Sequence, residues 1–297
     1  MPYDLQETFG SRLRQAVERR LRRVPYVENL YQLDHQLARG AHVHRLPALS
    51  PTMQGIYEEL RERGLAQRPL AQLGLPLDAT LSAADGYVER LRARTLAPGT
   101  AYALIDDDEL VQTAEPFAFG LQQPLLDLAE RYLGLPVDYL GVNIKREVAN
   151  GLSVGTRKWH ADPEDDRMLK IIVYLSDVDD RSGPFEAVDA PRSDHVRRTL
   201  RYTWSSDHKL ERLPEVVPEA EWTRCTGPRL TAVFADTARC FHRASPPTGR
   251  DRYSMTFSFL SRKAYFCFAS GRVLQRSFVS RWAQRLDARQ LSTLTPP

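Results

Sequence analysis

The chain has 297 residues, 42% hydrophobic and 27% charged, an ordinary composition for a globular protein and enough to bury a large core. Its net charge of +3, from 41 basic and 38 acidic residues, gives no strong field toward nucleic acid or an acidic membrane, so a small-molecule substrate fits better than either. The stretch from Met1 to Gly10 is polar rather than leader-like, and no apolar run approaches the roughly 20 residues that span a bilayer; the expectation is a cytoplasmic protein with no membrane partner.

From Thr8 to Arg39 the pattern is helical and basic. Leu13, Val17 and Leu21 form one stripe, and Arg12, Arg14, Arg19, Arg20, Arg22 and Arg23 crowd the rest. Such a helix is ordinarily a solvated face, with nucleic-acid or partner docking as the lesser alternative. His42-Val43-His44 has i, i+2 spacing without an acid in a matching strand, and His35, His195 and His208 read as surface or loop residues. Helices are predicted over Met53 to Arg63, ended by Gly64, and over Phe117 to Leu133, ended by Gly134 with Pro136 beyond. Between them, Asp106-Asp107-Asp108-Glu109 reads as a solvated acidic loop.

After Pro136 the period changes. Strand-like runs occupy Tyr139 to Val148, Leu169 to Leu175, Leu230 to Phe234 and Tyr253 to Leu260. The segment from Glu186 to Pro228 carries Pro191, Pro214, Pro218 and Pro228 without clear periodicity, as expected of a long excursion between strands, and such excursions often serve as lids. Helical spacing returns from Val273 to Leu291. Cys225, Cys240 and Cys267 show no CxxC spacing, which argues against a disulfide framework or structural zinc; all three read as buried thiols. No coiled-coil or repeat pattern sets an oligomeric state.

Trp159-His160-Ala161-Asp162 is the first chemical signal, because side chains two apart on an extended segment share a face and can grip one ion. With seven histidines and 38 acids in the chain, about one His-x-acid pair is expected by chance, so context has to decide. The second signal is a turn at Ser245-Pro246-Pro247-Thr248-Gly249. If Pro247 is its centre, His242 and Arg252 face each other across a hairpin, with Cβ atoms roughly 5 Å apart; a slip by one pair would substitute Arg250. The third is the run Arg252 to Phe259, in which large apolar residues alternate with Arg252, Ser254, Thr256 and Ser258. One face then packs on a core while the other lines a polar cavity rather than a solvent edge. Lys170 and Tyr174 share a face by the same period, with Lys170 read as a surface lysine.

Two histidines and one carboxylate on one side of a metal leave the opposite positions open, the facial arrangement suited to non-haem iron(II). An arginine nearby can clamp a carboxylate with two parallel hydrogen bonds, and Ser254 can add another donor, so a dicarboxylate such as 2-oxoglutarate would bridge metal and arginine.

Read in order, these residues resemble the phytanoyl-CoA dioxygenase-like family of iron(II)/2-oxoglutarate-dependent oxygenases over roughly Val142 to Ser261. His160 and Asp162 resemble its HxD motif. Ile172 to Asp179 followed by Ser182-Gly183-Pro184-Phe185 resembles its strand and Gly-Pro turn, and His242 with Arg252-Tyr253-Ser254 resembles its distal histidine and R-x-S. The resemblance implies His160, Asp162 and His242 as iron ligands, and Arg252 and Ser254 as the 2-oxoglutarate contacts. Asn143, on a strand where relatives place a polar contact, is a third candidate for that cosubstrate. Asp189-Ala190-Pro191-Arg192-Ser193-Asp194-His195 departs from the family's G-S-H and leaves substrate contacts there unassigned.

The fold so implied is mainly β with α, a double-stranded β-helix (jelly-roll, cupin-like) core with a helical N-terminal region outside. It would be a single domain over 1–297, with a helical front at 1–135, a core at 136–262 interrupted by the excursion 186–228, and a C-terminal helix at 263–297. The implied activity uses Fe(II), 2-oxoglutarate and O2, releases succinate, and hydroxylates a small molecule in specialised metabolism, with desaturation and demethylation equally compatible. An acid at Asp162 speaks against halogenation, for which relatives carry a small residue there. The alternatives are a demethylase or hydroxylase acting on nucleic acid or protein, and a metal-binding barrel without catalysis.

Overall fold

A computed structural model describes residue 17 and residues 25–203, 206–265, 267 and 269–294, so the six arginines from Arg12 to Arg23 of the basic stretch lie outside the described residues. Helix α1 (Pro25–His42) takes in the end of that stretch, from 25 to 39. Helix α2 (Pro51–Arg63) starts where Ser50 accepts a hydrogen bond from the Met53 N–H and Pro51 occupies a position that needs no donor; it ends at Gly64, whose φ of 73° is left-handed. Gly64 is doubly constrained, because a Cβ there would also collide with Cys240 Sγ. Next come α3 (Asp78–Ala93), α4 (Asp107–Leu110), α5 (Ala114–Phe119) and α6 (Gln123–Leu133).

Two expectations change in this region. The single helix read from 117 to 133 is in fact α5 and α6, broken at 120–122. Pro124 sits in the first turn of α6, where its missing N–H costs nothing, and Gly120 lies against the Tyr139 ring where any side chain would clash. The acidic run at 106–109 is not a free loop, since Glu109 pairs with Arg94 and with Arg90.

The large sheet is antiparallel, in the order β1 (Leu65–Pro69), β7 (Thr231–Asp236), β4 (Leu169–Tyr174), β9 (Arg252–Ser261), β3 (Val137–Glu147), β2 (Tyr102–Leu104). A small antiparallel sheet has the order β6 (Thr223–Cys225), β5 (Phe185–Ala187), β8 (His242–Ala244). All four strand-like runs read from the sequence are strands. Those that escaped notice, β1, β2, β5, β6 and β8, are too short to show an alternation.

Strand β9 lies between β4 and β3, so it is central rather than an edge. Tyr253, Met255, Phe257 and Phe259 face the main core with Phe117, Leu125 and Leu128 of the helical layer. Full burial of each such side chain contributes about 1.5–3 kcal/mol. Arg252, Ser254, Thr256 and Ser258 face the other way, toward the small sheet. Ile172, Tyr174, Val233 and Ala235 share that inner face by register, and they pack with Phe185, Ala187 and Cys225 of the small sheet.

The hairpin expected between His242 and Arg252 does not form. His242 lies in the small sheet opposite Ala187, whereas Arg252 pairs with Glu147 in the large one, so 245–251 crosses between sheets. The prolines that suggested a tight turn instead carry the chain from one layer to the other.

The excursion holds α7 (Ala190–Thr199) and α8 (Leu213–Val216), and it has a core of its own. Val188, Val196, Leu200, Leu210, Leu213, Val217 and Trp222 pack against Trp159 and Phe241, the neighbours of His160 and His242. Past β9 lie α9 (Ala269–Trp282) and α10 (Ala288–Ser292). Cys225 and Cys240 are buried and Cys267 half-buried, not fully buried as expected; none of the three is in a disulfide. Among the described residues, no helix is long and apolar enough to cross a membrane.

Candidate metal centre

His160 and His242 are joined through their backbones. His160 N–H donates to His242 O at 3.1 Å, His242 N–H donates to His160 O at 2.9 Å, and the two rings lie 4.2 Å apart. Asp162 is fixed by its own N–H, which donates to Thr237 O at 2.9 Å. One potential ligand atom from each of the three residues lies within 4.8 Å of the others.

The rings are oriented for ligation. His160 Nδ1 faces Lys158 O at 2.8 Å and His242 Nδ1 faces Cys240 O at 3.1 Å; a carbonyl only accepts, so Nδ1 carries the hydrogen and the Nε2 lone pair is free. Nε2 of His160 is 4.0 Å from Asp162 Oδ1, and that of His242 is 3.9 Å from Oδ2, both beyond hydrogen-bond range. Burial, helped by the neighbouring His160, pushes the His242 imidazolium down to about 3, so the ring is neutral, as a ligand must be, at neutral pH. Burial alone would raise the Asp162 carboxyl, but the Lys170 cation and both imidazoles outweigh it and hold the group below the usual carboxylate range. Two imidazole nitrogens and one carboxylate oxygen converging on one point suit a divalent ion of iron's kind.

Arg252 is on the inner face and buried. One terminal N–H donates to Gly183 O, its Nη2 lies 3.8 Å from Glu147 Oε1, and its Nε has no partner among the described residues. Arg250 instead turns to the surface and binds Asp179 Oδ2 at 2.7 Å and Ser182 Oγ at 2.8 Å, so of the two arginines Arg252 is the one on the inner face. Ser254 is buried beside Lys145 on one neighbouring strand and Tyr174 on the other. Asn143 shares this face by register with Thr256, but it is exposed and stands apart from the buried cluster.

Four residues differ from expectation or were missed. Lys170 is not a surface lysine: it lies on the inner face and its Nζ donates to Asp162 Oδ2 at 2.5 Å. Period 2 placed it on the face of Tyr174, and only its assignment to solvent was wrong. His35 is buried, with Nε2 3.3 Å from Asp165 Oδ1, not on a surface or in a loop. Glu147 is fully buried between Lys145 and Arg157, whose Nε donates to Glu147 Oε2 at 2.8 Å. Glu164 is buried beside Asp162, and burial together with that charge pushes its carboxyl up to about 8. No spacing signal marks His35, Glu147 or Glu164, because each finds its partners through the fold. His42 bonds Glu130 at 2.9 Å, while His195 and His208 are exposed as expected.

No protein-family model matches the chain, and no curated protein matches it. Solved structures do. The chain is similar to HygX from Streptomyces hygroscopicus with nickel, 2-oxoglutarate and hygromycin B bound, at 16% identity and a TM-score of 0.48 over 72% of this chain and 88% of that one. It is similar to EctD from S. alaskensis with 2-oxoglutarate and 5-hydroxyectoine, at 14% identity and a TM-score of 0.48 over 72% and 76%. It is also similar to the epimerase SnoN in complex with Fe3+, alpha ketoglutarate and nogalamycin RO, at 18% identity and a TM-score of 0.47 over 72% and 85%. With every TM-score below 0.5, the chemistry of this chain rests on its own site.

Proposed function

We propose that this chain is an iron(II)- and 2-oxoglutarate-dependent oxygenase of the phytanoyl-CoA dioxygenase-like kind. It is built on a double-stranded β-helix and hydroxylates a small molecule in specialised metabolism. The observation that carries the reading is the pair of imidazoles whose Nδ1 atoms are committed to backbone carbonyls while both Nε2 atoms converge on Asp162. Histidines with a purely structural role have no need to leave two Nε2 atoms facing one carboxylate beyond hydrogen-bond range.

His160, Asp162 and His242 would hold the iron, which when bound supplies the oxygen-activating chemistry. The remaining steps belong to the chain's own residues. Arg252 and Ser254 would take the far carboxylate of the cosubstrate. Around Glu147 stand Lys145, Arg157 and Arg252, three cations against one carboxylate, and this excess favours a further anion. Ile172, Val233 and Phe185 exclude water from the space between the sheets. Desaturation and demethylation would use the same groups, and the packed excursion beside Trp159 would supply the substrate's contacts.

The test is anaerobic spectroscopy of the full chain. Iron(II) with 2-oxoglutarate should give a weak visible charge-transfer band, and aerobic turnover should release succinate. Absence of both from protein that binds iron would leave a non-catalytic barrel; absence of iron binding would overturn the reading altogether.

A further inference from the structure

Lys170 is the one cation in direct contact with the candidate ligands among the described residues, and the activity proposed above gives it no part. It sits on β4 with Ser258 beside it on β9 and Ala235 beside it on β7, so its side chain rises from the inner face. Its Nζ donates to Asp162 Oδ2 at 2.5 Å, with the two side chains 23% and 11% exposed. Asp162 Oδ1, 4.0 Å from His160 Nε2, has no donor among the described residues.

A largely desolvated lysine and aspartate are a poor source of stability. Desolvating two charges costs about what their attraction returns, and a hydrophobic pair would serve as well. Lysine is also long and flexible, so it would reach solvent if nothing held it inward. What the contact does accomplish is to make the two oxygens of one carboxylate unequal. Each stands about equally near one imidazole, but Oδ2 accepts the ammonium's hydrogen bond and Oδ1 accepts none among the described residues.

Resting on the metal reading, we propose that Lys170 is a positioning residue that holds Asp162 Oδ2, so that Asp162 offers a metal ion one oxygen rather than two. A carboxylate gripping the ion with both oxygens would take a position that cosubstrate or oxygen needs. With Lys170 in place, the ion keeps its open side. The lysine touches neither cosubstrate nor reacting atoms; it acts through Asp162.

The experiment uses Mn(II) as probe and reads coordinated water by proton relaxation in the full-length protein, without turnover. Three protein ligands on a six-coordinate ion leave about three water positions, and a two-oxygen Asp162 leaves about two. Lys170→Met, similar in length but unable to donate, should therefore lower the water relaxivity of bound Mn(II) by about one third. Lys170→Gln, whose amide N–H can still reach the same oxygen, should restore most of it. Wild-type relaxivity in Lys170→Met would overturn the inference, as would an equal drop in both variants, which would show that charge and not the hydrogen bond matters. If Lys170→Met does not fold, Lys170→Thr, too short to reach Asp162, carries the same expectation. Failure of the wild type to bind Mn(II), or binding unchanged in His160→Ala, would instead sink the metal reading, so the two failures are distinguishable.

Discussion

Arg252 lies directly opposite Glu147 in the pairing of β3 with β9, and the two side chains approach to 3.8 Å while Arg157 holds the far oxygen of Glu147 at 2.8 Å. Arg252 is buried and its Nε has no partner among the described residues, whereas Arg250 pairs at the surface with Asp179; on the function proposed, Arg252 takes the anion. Arg252→Ala should raise the apparent KM for 2-oxoglutarate about 10- to 100-fold, the worth of charge-assisted hydrogen bonds. Arg250→Ala should stay within about twofold of wild type, since exposed pairs contribute little. Steady-state succinate assays on both variants decide, and the reverse order would move the role to Arg250.

The backbone bridge between His160 and His242 means that either ring can be removed without undoing the strand contact. His160→Ala and His242→Ala should each fold and should each lose more than about 100-fold in iron(II) affinity, exceeding the usual cost of losing an outer-shell partner. Titration of the apo-protein with iron(II), alongside circular dichroism, separates loss of ligand from loss of fold. Retained affinity in either variant would remove that histidine from the centre.

Helix α1 meets the segment that carries Asp162 through charges. Arg39 grips Asp166 with two hydrogen bonds of 2.6 Å, and His35 faces Asp165. Burial would lower the His35 pKa, but the carboxylates of Asp165 and Asp166 prevail and it lies above the ordinary value. The sign follows from linkage: the pair's contribution is fully present below the unfolded value of about 6.5 and disappears as pH rises through the higher folded value. Hydrogen-exchange protection of α1 should therefore fall as pH rises above about 6.5, and His35→Gln should flatten that dependence. A profile unchanged by the substitution would assign the docking to Arg39 alone.

Gly64 combines a left-handed φ with contact against Cys240 Sγ. Gly64→Ala should cost about 1–2 kcal/mol for the backbone conformation, plus a steric term. Cys240→Ala in the same chain should recover the steric part and leave the backbone part, giving a favourable coupling energy in a double-mutant cycle. Denaturant melts of the four proteins measure it, and strict additivity would show that the two residues do not compete for the same space.

The sequence by itself determined a good deal. Period-2 alternation from Arg252 to Phe259 marked a central strand with a polar inner face. Gly64 marked the end of α2, and the i, i+2 spacing put His160 and Asp162 on one face, whereas His242 was reached through a hairpin that does not form and through the resemblance. Tertiary structure decided what depends on partners distant in sequence. Nothing local distinguishes a chain that turns back on itself at 245–249 from one that crosses to another sheet, so Arg252 is opposite Glu147 rather than His242. Nor does a lone Lys170 reveal that an aspartate awaits it on the inner face. A charged side chain enters a protein interior only where an opposite charge repays its lost hydration, and that partner's location belongs to the fold rather than to the neighbouring residues.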